Sequence, residues 1–486
     1  MSDKLDMHTK NIIQENIEKI GALFPHCVTE ATDEHGEIRQ LIDFESLRQE
    51  LSEDLVSNMN ERYRFIWPDK LKFQNLANEP VSKTLRPYRD ESVNFDNTRN
   101  LYIEGDNLDV LKLLRETYLN KVHVVYIDPP YNTGNDFVYK DNFKISGPEF
   151  ENVSGLRDEE DNKLFRNTDS NGRFHTDWLN MMYPRLKLAR DLLNDEGLIL
   201  ISIDENESHN LKKICDELFG ERNFIGDVVR KTKSMTGDSG VGFNLQHEYL
   251  QIYAKDINRV ALRGEEKDFK NYSNPDDDVN GDWCPGDPSA KSGGNSTYFP
   301  IANPHTGKID YPPKGRYWAF SKTTLERYVD TGRIKFKEAH SDRERGFVFK
   351  RYKKDIVESF NPVNSLFAIE NEFMNSGATA ELSRLFDGAL FDYPKPVGYI
   401  KALLEYTTDK DSIILDFFSG SATTAHAVIE LNTEDGGDRK YIMIQLPEET
   451  DKKSDAYKAG FHNICELGKE RIRRVGEQLG GGGGGL

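Results

Sequence analysis

Apolar positions along this chain fall into two patterns, compact runs and wider helical repeats. Val122 to Ile127 forms an apolar, β-branched and aromatic run, and Ser412 to Phe418 (SIILDFF) forms another. Runs this short, closed by turn-forming residues, predict strands buried on both faces, as in a parallel sheet. A helical repeat through Ala427, Val428 and Leu431 follows the second run, and YIMIQL (Tyr441 to Leu446) predicts a further strand. Near the start, Ile12, Ile17, Ile20 and Leu23 recur at helical intervals and SLRQELSEDL repeats the pattern, so residues 1–95 are expected to form a largely helical arm.

Chemistry enters where the first strand stops. Asp128, Pro129, Pro130 and Tyr131 follow Ile127 directly. Two prolines in succession remove two N–H donors and fix two φ angles, so the sheet cannot continue and a rigid turn forms at its carboxyl edge. Open α/β sheets bind ligands at that edge. The turn offers a carboxylate, the Pro129 carbonyl and a flat ring together, a set suited to a planar exocyclic amine. Two acceptors on such an amine localise its lone pair, and an aromatic ring holds the base in place. A bare Asp-Pro-Pro also serves as an ordinary strand-ending turn. Tyr131 and the following Asn132-Thr133-Gly134 tip the balance toward chemistry.

The strand ending at Phe418 leads into Ser419-Gly420-Ser421-Ala422-Thr423-Thr424 and then a helix. Strand, small-residue turn and helix N-terminus make a general cradle for a nucleotide cofactor. On its own the pattern is equally a device for close packing. Beside an amine-binding turn it acquires a purpose, since a methyl donor has to lie within reach of the amine.

Together, DPPY and FSGSATT resemble the S-adenosylmethionine-dependent amino-methyltransferases of DNA, in the circularly permuted β class whose catalytic motif precedes the cofactor motif. IEGDNLDVLKLL (Ile103 to Leu114) resembles the strand–helix unit ahead of the catalytic turn. GLILISID (Gly197 to Asp204) and HEYLQIYAK (His247 to Lys255) resemble later strands of the same sheet, and FDYPKPVGYI (Phe391 to Ile400) the segment before the cofactor strand. RYRFIWPDK, KTLRP, MMYPRLKLARDLL and the closing GKERIRR resemble the Mod subunits of type III restriction–modification systems over roughly residues 15–475. The resemblance implies an α/β, Rossmann-like fold of the class I methyltransferase type, circularly permuted, with a mostly parallel sheet. It assigns catalysis to Asp128, Pro129, Pro130 and Tyr131. It assigns the cofactor to Asp106, Asp128, Tyr131, Lys395, Asp416, Phe418, Ser419, Gly420, Ser421, Thr423, Thr424 and Gln445. No metal is implied. Two positions depart from the family pattern. Ala422 replaces a common glycine, which implies a tighter backbone approach, and Gln445 stands where an acid is expected on the cofactor ribose, leaving Glu448 or Glu449 as substitutes.

Composition refines this picture. The 486 residues contain no run of eighteen apolar residues, and the start MSDKLDMHTK has no signal-like core, so a cytoplasmic protein is expected. Cys27, Cys215, Cys284 and Cys465 match no zinc or disulfide spacing. A net charge of −19 is unusual for a DNA-binding chain, since phosphate contacts dominate affinity. Residues 230–354, however, hold 23 Lys and Arg against 17 Asp and Glu, a balance of +6 that leaves −25 for the rest. Aromatic and basic residues interleave there in KGRYWAF and RGFVFKRYKK. Residues 230–375 are therefore expected to read duplex DNA, with the 247–255 strand returning to the sheet. The methyltransferase halves are expected at 96–229 and 376–475. A polar insert near 145–175 resembles the mobile loop that touches flipped DNA. His175 at its end reads either as a substrate contact or as a structural cap.

Gly480 to Gly485 reads as flexible coil at the end of a tail, 476–486. Mod proteins usually continue beyond this point, so truncation, a frameshift in a guanine tract and an engineered linker all stay open. The expected activity is N6 methylation of a flipped adenine, with a homodimer and a restriction (Res) subunit as implied partners. Alternatives are an orphan adenine or cytosine-N4 methyltransferase, or a catalytically silent DNA-recognition subunit. RNA or protein glutamine methylation is disfavoured, because that tetrapeptide usually begins with Asn.

Overall fold

A computed structural model describes residues 12–24, 27–32, 38–44, 47, 65–134, 137–139, 164–166, 172–234, 243–260, 262–356 and 360–480. Contacts divide the chain into one unit of residues 1–262 with 364–486 and a second of residues 263–363.

Seven strands build the central sheet of the first unit: β1 (Leu101–Glu104), β2 (Val122–Ile127), β3 (Leu193–Ile203), β4 (Phe224–Lys231), β5 (His247–Ala254), β6 (Ile413–Asp416) and β7 (Lys440–Gln445). Their order is β1-β7-β6-β2-β3-β5-β4. The first five in that order are parallel, and β5 runs antiparallel to both β3 and β4. The mostly parallel Rossmann-like sheet expected from the sequence is present, with β6, which leads into the small-residue turn, beside β2, which leads into the Asp-Pro-Pro-Tyr turn, although β6 comes far later in the chain. Ile414 pairs with Val124 and Leu415 with Val125.

Helices cover both faces: α1 (Ile12–Leu23), α2 (Asn107–Tyr118), α3 (Phe174–Leu192), α4 (Ser208–Cys215), α5 (Asn375–Phe386), α6 (Val397–Thr407), α7 (Thr423–Asp435) and α8 (Ile464–Gly480). Because side chains alternate along a strand, β2 feeds two cores at once. Val125 and Ile127 pack with Leu111 of α2, Leu186 of α3 and Ile214 of α4. Val124 and Tyr126 pack with Tyr399 of α6 and Val428 of α7. The helices that follow β2 and β6 thus lie on opposite faces, which makes the gap between these two strands the topological switch point where α/β sheets bind ligands.

Among the described residues, the N-terminal region holds strands as well as helix. Helix α1 forms as its spacing predicts, but Val28–Thr32 and Ile38–Ile42 pair as an antiparallel two-stranded sheet. VTEAT and IRQLI carry the period-two, β-branched texture that favours strands. The arm packs on the sheet's helices: Arg115 of α2 pairs with Glu15 at 3.1 Å, and the buried Trp67 donates to Asn180 of α3 at 2.7 Å. Most of SLRQELSEDL, most of the 145–175 insert and the Gly481–Gly485 run lie outside the described residues.

The second unit, 263–363, is narrower than the 230–375 region expected to read DNA. Phe224–Lys231 and His247–Ala254 supply β4 and β5 to the main sheet, and Val229 and Asn375 bond with Ser365 and Thr232 in the same unit. Within 263–363 an antiparallel sheet of Trp283–Pro285, Phe347–Tyr352 and Ile334–Phe336 joins a helix, Lys322–Asp330. Phe299, Ile301, Trp318, Phe320, Ile334 and Phe347 form its core.

Candidate active site

Asp128 begins the turn at the carboxyl end of β2, and Asp416 ends the neighbouring strand β6, so both sequence motifs open into one crevice. The prolines end β2 as expected. Trp178 of α3 donates to the Pro130 carbonyl at 2.7 Å, whereas the Pro129 carbonyl has no partner among the described residues. Asn132 takes up φ +61°, a left-handed conformation that asparagine tolerates better than most residues. Its amide donates to the fully buried Glu207 at 2.6 Å. Glu207 also holds His175 at 2.7 Å and Asn210 at 2.7 Å, so one carboxylate ties the turn after β2 to the starts of α3 and α4.

Tyr131 sits in a network of charges. Its hydroxyl donates to Glu248 of β5 at 3.1 Å and accepts from Lys395 at 2.8 Å. Glu248 is bonded by the fully buried Arg230 of β4 at 2.8 Å, and Arg230 is anchored on the Phe373 carbonyl at 2.6 Å and on Asn375 at 2.7 Å. The Lys395 ammonium lies 2.9 Å from Asp128 Oδ1 and 3.4 Å from Glu248 Oε1. The first contact is an ion pair outside hydrogen-bond geometry, so Asp128 Oδ1 keeps a buried acceptor position without a hydrogen bond among the described residues. Burial, then the charges of Asp128 and Glu248, hold the Tyr131 phenol well above its ordinary pKa, which keeps it a donor. Burial acts to raise Glu248, but Lys395 and Arg230 outweigh it and hold the carboxyl below the usual range.

Across the crevice, the turn after β6 is braced from several sides. Both Asp416 oxygens are used internally: Oδ1 accepts the Phe418 amide at 3.0 Å and Oδ2 the Thr424 hydroxyl at 2.6 Å. Burial pushes this carboxyl up to about 7 against those bonds. Gly420 has φ +51° and its amide donates to Gln445 Oε1 at 2.7 Å. Ala422 has φ +60°, in the left-handed region that costs a non-glycine residue about 1 kcal/mol. This is the physical content of the missing glycine: the turn demands that conformation, and a fully buried methyl adopts it. Arg471 of α8, also buried, donates to Ser421 Oγ at 2.9 Å and to Thr423 Oγ1 at 2.8 Å. Asp106 caps α2 by accepting the Leu108 amide at 2.8 Å, and Asn107 donates to the Phe417 carbonyl at 2.8 Å.

The site residues expected from sequence therefore sort by what they touch. Asp128, Tyr131 and Lys395 meet directly. Phe418 to Thr424 form the facing turn, where Ser419 Oγ is buried without a hydrogen-bond partner among the described residues. The bare backbone at Gly420 and this hydroxyl, beside the N-terminus of α7, fit a nucleoside-bearing cofactor. Asp416 and Gln445 brace the turn from behind, and Gln445 Nε2 lies 3.5 Å from Glu448. Arg230, Glu248, Glu207 and Arg471 were not singled out by motif. For Arg230, Glu248 and Arg471 the one visible signal is a charge within an apolar strand or helix face, a costly placement unless it is paired; Glu207 lies in the polar run 204–210 and carries no such signal.

A family model described as DNA methylase matches residues 122–453. The chain is 37% identical over 393 residues to the type III restriction-modification enzyme StyLTI Mod subunit of Salmonella typhimurium, covering 79% of this chain and 58% of that one. It is 32% identical over 486 residues to the EcoPI Mod subunit of Escherichia phage P1, covering 93% and 73%. It is 32% identical over 432 residues to the type II methyltransferase M.KpnI of Klebsiella pneumoniae, covering 83% and 97%. The chain thus spans under two thirds of the Salmonella relative's length and nearly all of the Klebsiella one. No helix among the described residues is long and apolar enough to cross a membrane.

Proposed function

The chain belongs to the DNA methylase family, alongside the modification subunits of type III restriction–modification enzymes, and from that premise we propose that it methylates N6 of adenine in duplex DNA, with S-adenosylmethionine as donor. One observation carries the reading: the Asp128–Tyr131 turn and the Ser419–Thr424 turn leave adjacent parallel strands on the two sides of the switch point.

The target adenine leaves the duplex, at a cost of a few kcal/mol. Asp128 and the Pro129 carbonyl each accept one N–H of its amine, which localises the nitrogen lone pair. Tyr131, tied by its hydroxyl to Lys395 and Glu248, holds the ring in place. Trp178 and Glu207 keep the turn rigid, so little reorganisation accompanies the reaction. The cofactor supplies a methyl group on a sulfonium. Phe418 to Thr424 hold it, and Gln445 and Arg471 fix the turn that does so. Aspartate at the first motif position favours adenine over cytosine.

Residues 263–363 read the DNA sequence, with Lys and Arg divided between phosphates and base edges. We propose a restriction subunit as its partner, in keeping with the names of the type III relatives, and a second copy of the chain as another. Light scattering with and without the restriction subunit checks that point.

Tritium transfer from labelled cofactor to duplex DNA tests the activity. Label in DNA that disappears with Asp128→Ala supports the reading, and near wild-type transfer by that variant overturns it. Sequencing of methylated genomic DNA identifies the base and its context.

A further inference from the structure

Four charged side chains surround the catalytic turn, two acids and two bases. Asp128 faces the reacting amine in the proposed function, and the present inference rests on that reading. Lys395 lies between two carboxylates, 2.9 Å from Asp128 Oδ1 and 3.4 Å from Glu248 Oε1. Glu248 is fixed by more than Lys395. Arg230 bonds it at 2.8 Å, and Arg230 is itself clamped by the Phe373 carbonyl and Asn375. Tyr131 donates to its other oxygen at 3.1 Å. Glu248 is therefore a rigid seat, and it competes with Asp128 for the charge of the lysine between them.

That choice matters to the reaction. As the amine nitrogen takes the methyl group it gains positive charge, and an anionic Asp128 stabilises it in a site shielded from water. An Asp128 already neutralised by Lys395 does so far less. Interactions that strengthen only in the transition state raise kcat rather than lower KM.

We propose that Glu248 is a positioning residue that shares Lys395 with Asp128, so that Asp128 meets the methylated amine with its charge only partly compensated. Arg230 serves it as an anchor. Tyr131 joins Lys395 to Glu248, because its hydroxyl accepts from the first and donates to the second.

Glu248→Gln keeps the shape and removes the charge. It is expected to lower kcat about 10- to 100-fold at saturating DNA and cofactor. KM for DNA, duplex affinity by fluorescence anisotropy and cofactor affinity by calorimetry should each stay within about threefold. Adding Lys395→Met removes the cation that Glu248→Gln leaves on Asp128, so the double variant should turn over at least threefold faster than Glu248→Gln alone. Glu248→Asp, which keeps the partner of Arg230 but shortens the reach, should show a smaller loss of kcat with the same rescue. It carries the test if Glu248→Gln does not melt cooperatively. Wild-type kcat in both Glu248 variants, a loss that falls in KM or cofactor affinity, or a double variant no faster than its parent overturns the proposal. Absence of methyl transfer by the unmodified chain would instead refute the activity itself, a separate result.

Discussion

Gln445 Oε1 accepts the Gly420 amide at 2.7 Å, joining the end of β7 to the turn after β6. A residue at this strand end in related sheets would be expected to face the cofactor ribose, and here its carbonyl oxygen holds the loop. Gln445→Ala should free the Gly420 amide and weaken S-adenosylmethionine binding by roughly tenfold, the equivalent of about 1–1.5 kcal/mol for one hydrogen bond. The effect on kcat at saturating cofactor should be small. Calorimetry reads the first number and steady-state kinetics the second. Unchanged cofactor affinity would show that the bond does not shape the turn.

Arg471 places a buried guanidinium against the same turn. Burial lowers its pKa to about 10, still well above neutrality, so it stays charged. Arg471→Ala leaves Ser421 and Thr423 without that partner and opens a cavity. A loss of roughly 3–5 kcal/mol is expected from the combination. Denaturant unfolding measures it, and a loss below 1 kcal/mol would contradict the assigned role.

Asp416 gives a pH dependence of defined sign. Its carboxyl titrates near 7 in the fold and near 3.8 when unfolded, so the native state binds more protons between those values. Stability is thus fullest below about pH 4 for this group and falls as pH rises toward 7. Asp416→Asn should flatten that slope and raise stability at pH 8 by a few kcal/mol, at about 1.4 kcal/mol per pH unit spanned. Thermal melts of both proteins from pH 5 to 8 decide it, and parallel curves would rule the account out.

His175 illustrates a choice that the sequence left open. Its side chain is 57% exposed and its Nδ1 lies 2.7 Å from Glu207, which is the geometry of a cap on the turn after β2. His175→Ala should therefore lower kcat less than about threefold. Glu207→Ala removes the buried carboxylate to which Asn132 and Asn210 both donate, and a loss of roughly 2–4 kcal/mol is expected. A hundredfold fall in kcat for His175→Ala, with stability intact, would place the imidazole on the substrate instead.

Tyr393 combines φ +54° with 81% exposure and precedes Pro394. The left-handed region is unfavourable for a bulky residue, and a following proline disfavours helical backbone further. Tyr393→Gly should raise unfolding stability by about 0.5–1 kcal/mol, after the entropy that glycine adds to the unfolded chain. Chemical denaturation tests this, and a destabilised variant would mean the ring is held by contacts that outweigh the strain.

Several features needed nothing beyond local sequence. The β2 and β6 strands, the proline stop after Asp128 and helix α1 all follow from neighbours a few residues apart. Burial pattern, φ restriction and propensity act over such distances. The pairing of β2 with β6, the separation of residues 263–363 from their flanks, and the partners of Asp416 and Gln445 came only from the folded chain. The same holds for Arg230, Glu248, Glu207 and Arg471. Tyr131 and Lys395 are 264 residues apart and share a hydrogen bond. A charged residue in an apolar strand announces that it needs a partner, but Coulomb attraction and hydrogen bonding choose that partner in three dimensions, where distance along the chain carries no information.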